Sequence, residues 1–206
     1  NQVLQMGQDQ GLDISYHNLI SALGSTGGKK LDRLLGTTNY LFEVLREREY
    51  RKIGFELEAN NVTNAIIRAP STIEWKHVNI KLKDHKEIAH FIKPDVVVTL
   101  IDAECFIQER MHDAQKRDEF FQRVKQHNFS IREILSWMDE EVSLSEDWAE
   151  HLNVRHYVIP IGQNPDSLFK LVKHERVPSF YVSYSMTHSD PQARVVVNET
   201  IARLNK

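Results

Sequence analysis

The hydrophobic pattern is clearest in the middle of the chain, where the apolar run Val96–Ile101 follows a Pro-Asp pair and leads directly into residues 103–110. A short, mostly β-branched run of this kind predicts a strand buried on both faces of a parallel sheet, followed by a helix. Open α/β sheets bind their ligands at the carboxyl ends of such strands. Asp102, the first residue after the run, therefore lies at a predicted ligand position.

Similar patterns predict the rest of the fold. Apolar runs predict strands at residues 63–69, 154–160 and 179–184, and a short strand or strand remnant at 3–7. Apolar residues at helical spacing, together with polar caps, predict helices at residues 16–23, 39–59, 85–92, 103–123, 131–141, 144–152 and 168–173. Residues 74–83 are expected to be an irregular, basic and partly extended connection. Two of these helices are predicted to begin with capping boxes: Ser130 with Glu133 before the helix at 131–141, and Ser143 with Glu146 before the helix at 144–152.

This order of elements predicts an α/β fold with a three-layer parallel sheet. We expect one domain at residues 1–174, with a helical, lid-like insertion at about 111–152. Residues 179–206 would form the first strand and helix of a second, incomplete α/β domain. The chain starts without a methionine and ends within a helical pattern, so we expect part of the working protein to lie outside it.

Composition narrows the function classes. The 206 residues can bury one substantial core, and the net charge of −3 indicates no general attraction to nucleic acid or an anionic membrane. No apolar run approaches the roughly 18 to 20 residues of a membrane span, so we expect a cytoplasmic protein without membrane contact. The single cysteine, Cys105, excludes an internal disulfide and is expected to be a buried thiol.

The helical insertion has one alternative interpretation, a helix-turn-helix that reads DNA. Its local charge is acidic, which opposes phosphate binding, so we expect no direct DNA contact. The acidic residues are Glu140, Glu141, Glu146, Asp147 and Glu150.

The glycine-rich stretch at residues 24–31 is a candidate phosphate loop. Glycines let backbone N–H groups approach a phosphate, and a lysine can reach its outer oxygens. The spacing is one residue too short, however, and Lys30 stands where the motif needs Ser or Thr. A linker and a phosphate cradle both remain open interpretations.

Polar residues at the strand ends are the candidate site. Ser71 and Thr72 follow the strand at 63–69 and are candidate nucleotide-binding residues. The Asp102 carboxylate would hold magnesium directly or through water, because Mg²⁺ prefers oxygen ligands. Arg110 would neutralise phosphate charge during transfer, with Arg117 and Arg123 further along the helical insertion. The alternative is structural: Asp102 caps the next helix, and the arginines pair with nearby acids.

The long helix at 39–59 also carries arginines. Arg46, Arg48 and Arg51 are explained by a solvated face, or by a basic wall that faces a nucleotide phosphate.

Residues 38–172 resemble nucleoside monophosphate kinases of the adenylate kinase type. The resemblance is carried by residues 94–102, by the helix ending in Glu109 and Arg110 where that family enters its lid, and by the return strand at 156–160. It implies a P-loop type nucleotide-binding fold, ATP with magnesium, and phosphate contacts from Arg110, Arg117 and Arg123. The family's amino-terminal phosphate loop has no good counterpart within the sequence.

Residues 180–188 resemble the opening of a nucleoside 2-deoxyribosyltransferase domain, whose first strand ends in a loop of small residues before a helix. The resemblance implies that Tyr181, Ser183 and Thr187 line a nucleoside pocket. It also implies cleavage of an N-glycosidic bond by a glutamate that lies further along such a domain.

Two functional hypotheses follow. The first is ATP-dependent phosphoryl transfer to a nucleotide, or ATP hydrolysis, coupled to nucleoside cleavage by the second domain. The second is a catalytically inactive nucleotide sensor or assembly scaffold, in which the helical insertion binds a protein partner or a second copy of the chain. Trp137, Met138 and Trp148 would then be either partner contacts or core residues.

Overall fold

A computed structural model of the protein describes residues 2–26, 39–75, 78–117 and 130–173, and Glu199. The chain divides into two units, Asn1–Glu175 and Arg176–Lys206, and everything described except Glu199 belongs to the first. The described elements are, in chain order, α1 (Gln2–Asp9), β1 (Ser15–Asn18), α2 (Leu19–Thr26), α3 (Asn39–Ala59), β2 (Ala65–Arg68), β3 (Thr72–Trp75), β4 (Val78–Lys81), α4 (His85–Glu87), a π-helical turn (Ile88–Ile92), β5 (Val96–Ile101), α5 (Glu104–Arg117), α6 (Ile131–Leu152), β6 (Arg155–Pro160) and α7 (Asp166–Val172).

The strands form three two-stranded sheets within the described residues. β1 pairs with β2 and β5 pairs with β6, both in parallel, while β3 and β4 are antiparallel. The mixed α/β class with small parallel sheets is therefore confirmed. A single three-layer parallel sheet stays a prediction.

Two local predictions near the sheets were wrong, and a third was only partly right. Residues 3–7 are helical within α1, and residues 15–18 are strand β1 rather than the start of a helix. Residues 74–83, predicted to be an irregular and partly extended connection, include the end of β3 and all of β4 in an antiparallel hairpin, although residues 76–77 are outside the described part. The four-residue parallel pairing with β2 fixes β1 as a strand, which is a tertiary effect that local pattern does not contain.

The predicted strand at 96–101 is confirmed, but its burial on both faces is not. Thr99 is only 4% exposed, whereas the next residue, Leu100, is 52% exposed. Alternate residues of a strand point to opposite faces. The α6 helix packs against β5 and β6, and Leu100 lies on the opposite face from Thr99.

The helix α6 begins as the sequence predicts and then continues further. Ser130 and Glu133 form the predicted capping box, in which each side chain bonds the backbone N–H of the other. The second predicted cap was wrong, because Ser143 lies inside one continuous helix, Ile131–Leu152. Neither Gly nor Pro interrupts this span, so a serine alone does not end the helix.

The core lies between α2, α3, the π-helical turn and α6. Its buried hydrophobic residues are Leu19, Leu23, Phe42, Tyr50, Ile53, Leu82, Ile88 and Trp148. The Trp148 indole N–H donates to the Leu82 carbonyl at 3.1 Å, which fixes the carboxyl-terminal half of α6 to the segment after β4. Of the three candidate partner residues in α6, Trp148 therefore belongs to the core.

The inner face of α3 carries a buried ion pair. Arg46 is 4% exposed, so its assignment to a solvated face was wrong. Its guanidinium donates to Asp84 at 2.8 Å, and the Tyr50 hydroxyl lies 3.3 Å from the same carboxylate. Burial, followed by the Asp84 charge, raises the pKa of Tyr50 well above its ordinary value. Arg46 thus supports the fold rather than a solvent-facing site.

Candidate functional site

The loop after β2 binds an anionic side chain. The Ser71 N–H donates to Glu141 Oε1 at 2.8 Å. The Thr72 N–H and hydroxyl donate to Glu141 Oε2 at 3.1 and 2.9 Å. The Ser71 hydroxyl donates to the Glu141 carbonyl at 3.2 Å. The two residues predicted to bind a nucleotide therefore hold a carboxylate of α6.

Local chemistry explains the shape of this loop. Pro70 has no backbone N–H to donate to a continuing ladder, so β2 ends and the chain turns into β3. The Leu82 N–H donates to the Ser71 carbonyl at 2.8 Å, which anchors the turn from its other side. Ser71 is only 1% exposed. The donors are thus held by a packed turn rather than by a loosely attached loop.

Asp102 and Arg110 contact each other at the end of β5. Arg110 Nη1 donates to Asp102 Oδ2 at 2.6 Å, and the Ala103 N–H donates to Asp102 Oδ1 at 2.9 Å. The hydrogen bond from Arg110 holds the pKa of Asp102 below its ordinary value, with the Ala103 N–H acting in the same direction. The two residues are eight positions apart, roughly 12 Å along a helix axis, so their side chains must extend to meet.

This geometry agrees with the structural alternative for Asp102. Its carboxylate accepts a backbone N–H at the start of α5 and pairs with one arginine of the same helix. Oδ2 accepts from a guanidinium and Oδ1 from an amide N–H, so both carboxylate oxygens are already hydrogen-bonded within the protein. In addition, the described residues contain no group of three or more His, Cys, Asp or Glu that would hold a metal. The magnesium site predicted at Asp102 stays a prediction.

The structure does not describe the side chains of the remaining predicted site residues. Arg117 is the last residue of α5, and its side chain is outside the described part. Arg123 and the second-domain residues Tyr181, Ser183 and Thr187 also lie outside the described residues. Their predicted roles stay predictions.

Cys105 is exposed, so the prediction of a buried thiol was wrong. Along α5 the exposed positions include Cys105, Phe106 and Glu109, whereas Ile107 is half-buried. A helix advances about 100° per residue, so Cys105 shares a face with Phe106 and Glu109 and not with Ile107.

A shallow depression of about 510 Å³ lies on the outer face of α3. Its cations are compensated by neighbouring acids, since Arg51 pairs with Glu47 at 2.8 Å and Lys52 lies 3.8 Å from Glu56. The alternative of a basic wall on this helix therefore rests mainly on Arg48, which also lines the depression.

Glu141 is the residue that sequence reasoning missed. It was counted only as one of several acids on the helical insertion. Ser71 and Thr72 form a polar turn whose hydrogen-bond donors need an acceptor, and an acid on an amphipathic helix can supply one. This combination is the signal that would have indicated Glu141. That signal requires knowing that α6 packs against β3, which the sequence alone does not give.

No helix in the described part of the chain is long and apolar enough to cross a membrane. Comparison with known proteins adds no family: no protein-family model matches the chain, and no curated protein matches it either. The class that the fold defines is a mixed α/β protein with small parallel sheets.

Proposed function

We propose that this protein binds a nucleotide, and that the Ser71–Thr72 loop receives an oxygen-rich anionic group of that ligand. One observation supports the proposal: two backbone N–H groups and one hydroxyl converge on the two oxygens of a single carboxylate. A phosphate presents oxygens of the same kind, and backbone N–H groups are common phosphate donors.

We further propose that the bound nucleotide undergoes phosphoryl transfer or hydrolysis, with Asp102 and Arg110 as the acting residues. Both follow β5, and Arg110 is half-exposed at the surface of α5. A guanidinium suits phosphate oxygens and would stabilise charge that develops on a transferring phosphoryl group. When the ligand binds, the Arg110 guanidinium would release the Asp102 carboxylate and pair with a phosphate group instead.

The test is to measure ATP binding and ADP release by the wild-type protein and by Asp102→Ala and Arg110→Ala. Arg132→Ala is the matched control, because Arg132 is an exposed arginine of α6. We expect the wild type to bind and turn over ATP, and each site variant to lose at least about tenfold in turnover. The control should keep wild-type activity. Absence of both binding and turnover in the wild type would contradict the proposal.

A second candidate, a nucleotide sensor or scaffold without catalysis, is favoured by one observation. Asp102 and Arg110 form an ion pair at 2.6 Å, so each charge is already compensated by the other. The partner surface would then include Ile131 and Leu135, which are 47% and 48% exposed and lie one turn apart on α6. ATP binding without ADP release, unchanged in both site variants, would favour this function over catalysis.

A further inference from the structure

The Glu141 carboxylate lies where a ligand oxyanion would bind. Its two oxygens accept three donors from Ser71 and Thr72 at 2.8 to 3.1 Å, although the residues are about 70 positions apart in the sequence. These donors are neutral dipoles of fixed position. They stabilise an oxyanion of this size whether it is a carboxylate or a phosphate.

Lys81 of the β3–β4 hairpin forms an ion pair with Glu140, the residue directly before Glu141 on α6. Lys81 is the cross-strand partner of Thr72, and its ammonium group lies 2.6 Å from Glu140. Adjacent acids of α6 therefore take both the N–H donors and the lysine of one hairpin. A phosphate group carries more charge and more acceptor oxygens than the Glu141 carboxylate that it would replace.

We propose that Glu141 is an internal competitor for the oxyanion site at Ser71 and Thr72, and that a phosphate-bearing ligand binds there by displacing it. The inference rests on the proposed nucleotide function for the identity of the ligand. A tethered competitor acts at a high effective concentration, so it weakens ligand binding without blocking it. The wild-type affinity is then lower than the donor set alone would give.

Displacement of Glu141 does not require the helix to leave the core. Trp148 lies seven residues later, about 10 Å along α6, and its indole stays bonded to the Leu82 carbonyl. A change of side-chain rotamer at Glu141 is sufficient to free the Ser71 and Thr72 N–H groups, while the Ser71 hydroxyl keeps its bond to the Glu141 backbone carbonyl. Ligand binding would therefore replace the carboxylate contact and leave α6 in place.

The experiment follows the Ser71 and Thr72 backbone amide resonances by NMR while inorganic phosphate is added. The wild type is compared with Glu141→Ala and Glu141→Gln. Asp139→Asn is the matched control, because it removes one exposed charge from the same helix two residues away. We expect both Glu141 variants to bind phosphate about tenfold more tightly than the wild type, and the control to stay within about twofold.

Acetate and ATP are titrated in the same way. A gain for phosphate that exceeds the gain for acetate supports a phosphate site, whereas a gain for acetate alone overturns it. Phosphate binding to the folded Glu141 variants that is no tighter than to the wild type overturns the internal competitor. If phosphate binding improves but ATP binds to no form of the protein, the oxyanion site stands and the nucleotide function fails.

Discussion

At the scale of residues, Arg46 and Asp84 place a buried ion pair in the core of the described fold. Both side chains are 5% exposed, and three hydrogen bonds join the guanidinium to the carboxylate. Removal of one partner leaves the other charge in the core without compensation. Such losses cost roughly 3–5 kcal/mol, far more than an exposed pair contributes.

We therefore expect Arg46→Met to lower the free energy of unfolding by about 3 kcal/mol or more, even though methionine keeps most of the side-chain stem. Urea unfolding measures the effect. Arg51→Met is the control, because Arg51 lies on the same helix in an exposed pair with Glu47 and should cost less than about 1 kcal/mol. Equal effects of the two substitutions would contradict a buried, stabilising pair.

His156 is one residue whose environment makes the stability of the fold depend on pH. Its ring nitrogen Nε2 and the Thr99 hydroxyl are 2.8 Å apart. Partial burial lowers the pKa of His156 from its ordinary value of 6.5, while the charge of Glu146 acts against that shift. A lowered pKa favours the neutral ring in the folded protein. The neutral His156 ring contributes folding stability that is fully present above the ordinary pKa of histidine. That contribution is lost as the pH falls through the lowered pKa of His156 in the folded protein.

Removing the opposing charge should enlarge the shift. We expect Glu146→Gln to lower the pKa of His156 further, as followed by NMR titration of the ring resonances. Glu150→Gln, which removes another exposed acid of the same helix, should leave the titration unchanged. An upward shift of the His156 titration in Glu146→Gln would show that Glu146 does not act on this ring.

At the scale of elements, Ser130 and Ser143 distinguish a real cap of α6 from an apparent one. The Ser130 side chain accepts the Glu133 N–H at the amino terminus, whereas Ser143 is exposed in the helix interior. We expect Ser130→Ala to lower the free energy of unfolding by about 1 kcal/mol. Ser143→Ala should be neutral or slightly stabilising, since alanine has the higher helix propensity.

Urea unfolding and amide hydrogen exchange at residues 131–134 check this prediction. Faster exchange should be confined to Ser130→Ala, because loss of the cap frays the first turn. A larger destabilisation from Ser143→Ala would instead support two separate helices, as the sequence pattern suggested.

The elements that were predicted correctly are those whose own residues contain a local sequence signal. The helix α3, the strands β2, β5 and β6 and the capping box at Ser130 follow from periodicity, β-branched runs and cap chemistry. The failures depend on contacts between distant segments. β1 is a strand because it pairs with β2, and Arg46 is buried because Asp84 reaches it from 38 residues away.

The candidate site shows the same division. Its strand-end positions, Ser71, Thr72 and Asp102, were predictable from the sheet pattern. The residues that contact them were not equally predictable. Arg110, the partner of Asp102, lies only eight positions later in the sequence. Glu141, the partner of Ser71 and Thr72, lies on another element and reaches them only because α6 packs against β3. The sequence thus located polar groups, and the fold determined which charges they meet.

At the scale of the whole molecule, the described chain is a mixed α/β unit in which two parallel strand pairs each end near polar groups. Ser71 and Thr72 follow the β1–β2 pair, and Asp102 follows β5 of the other pair. The proposed nucleotide function requires ligand contact at the first of these ends. The predicted deoxyribosyltransferase-like segment at 179–206 is outside the described residues apart from Glu199 and is independent of that claim.

The most direct test of nucleotide binding is an ATP titration of the wild-type protein, followed through its backbone amide resonances. Ser71 and Thr72 donate their N–H groups to the proposed anion site, so their resonances should move in a saturable way, with Glu141 responding in parallel. Saturable binding that leaves the Ser71 and Thr72 amides unmoved, or no binding at all, would contradict nucleotide binding at this turn.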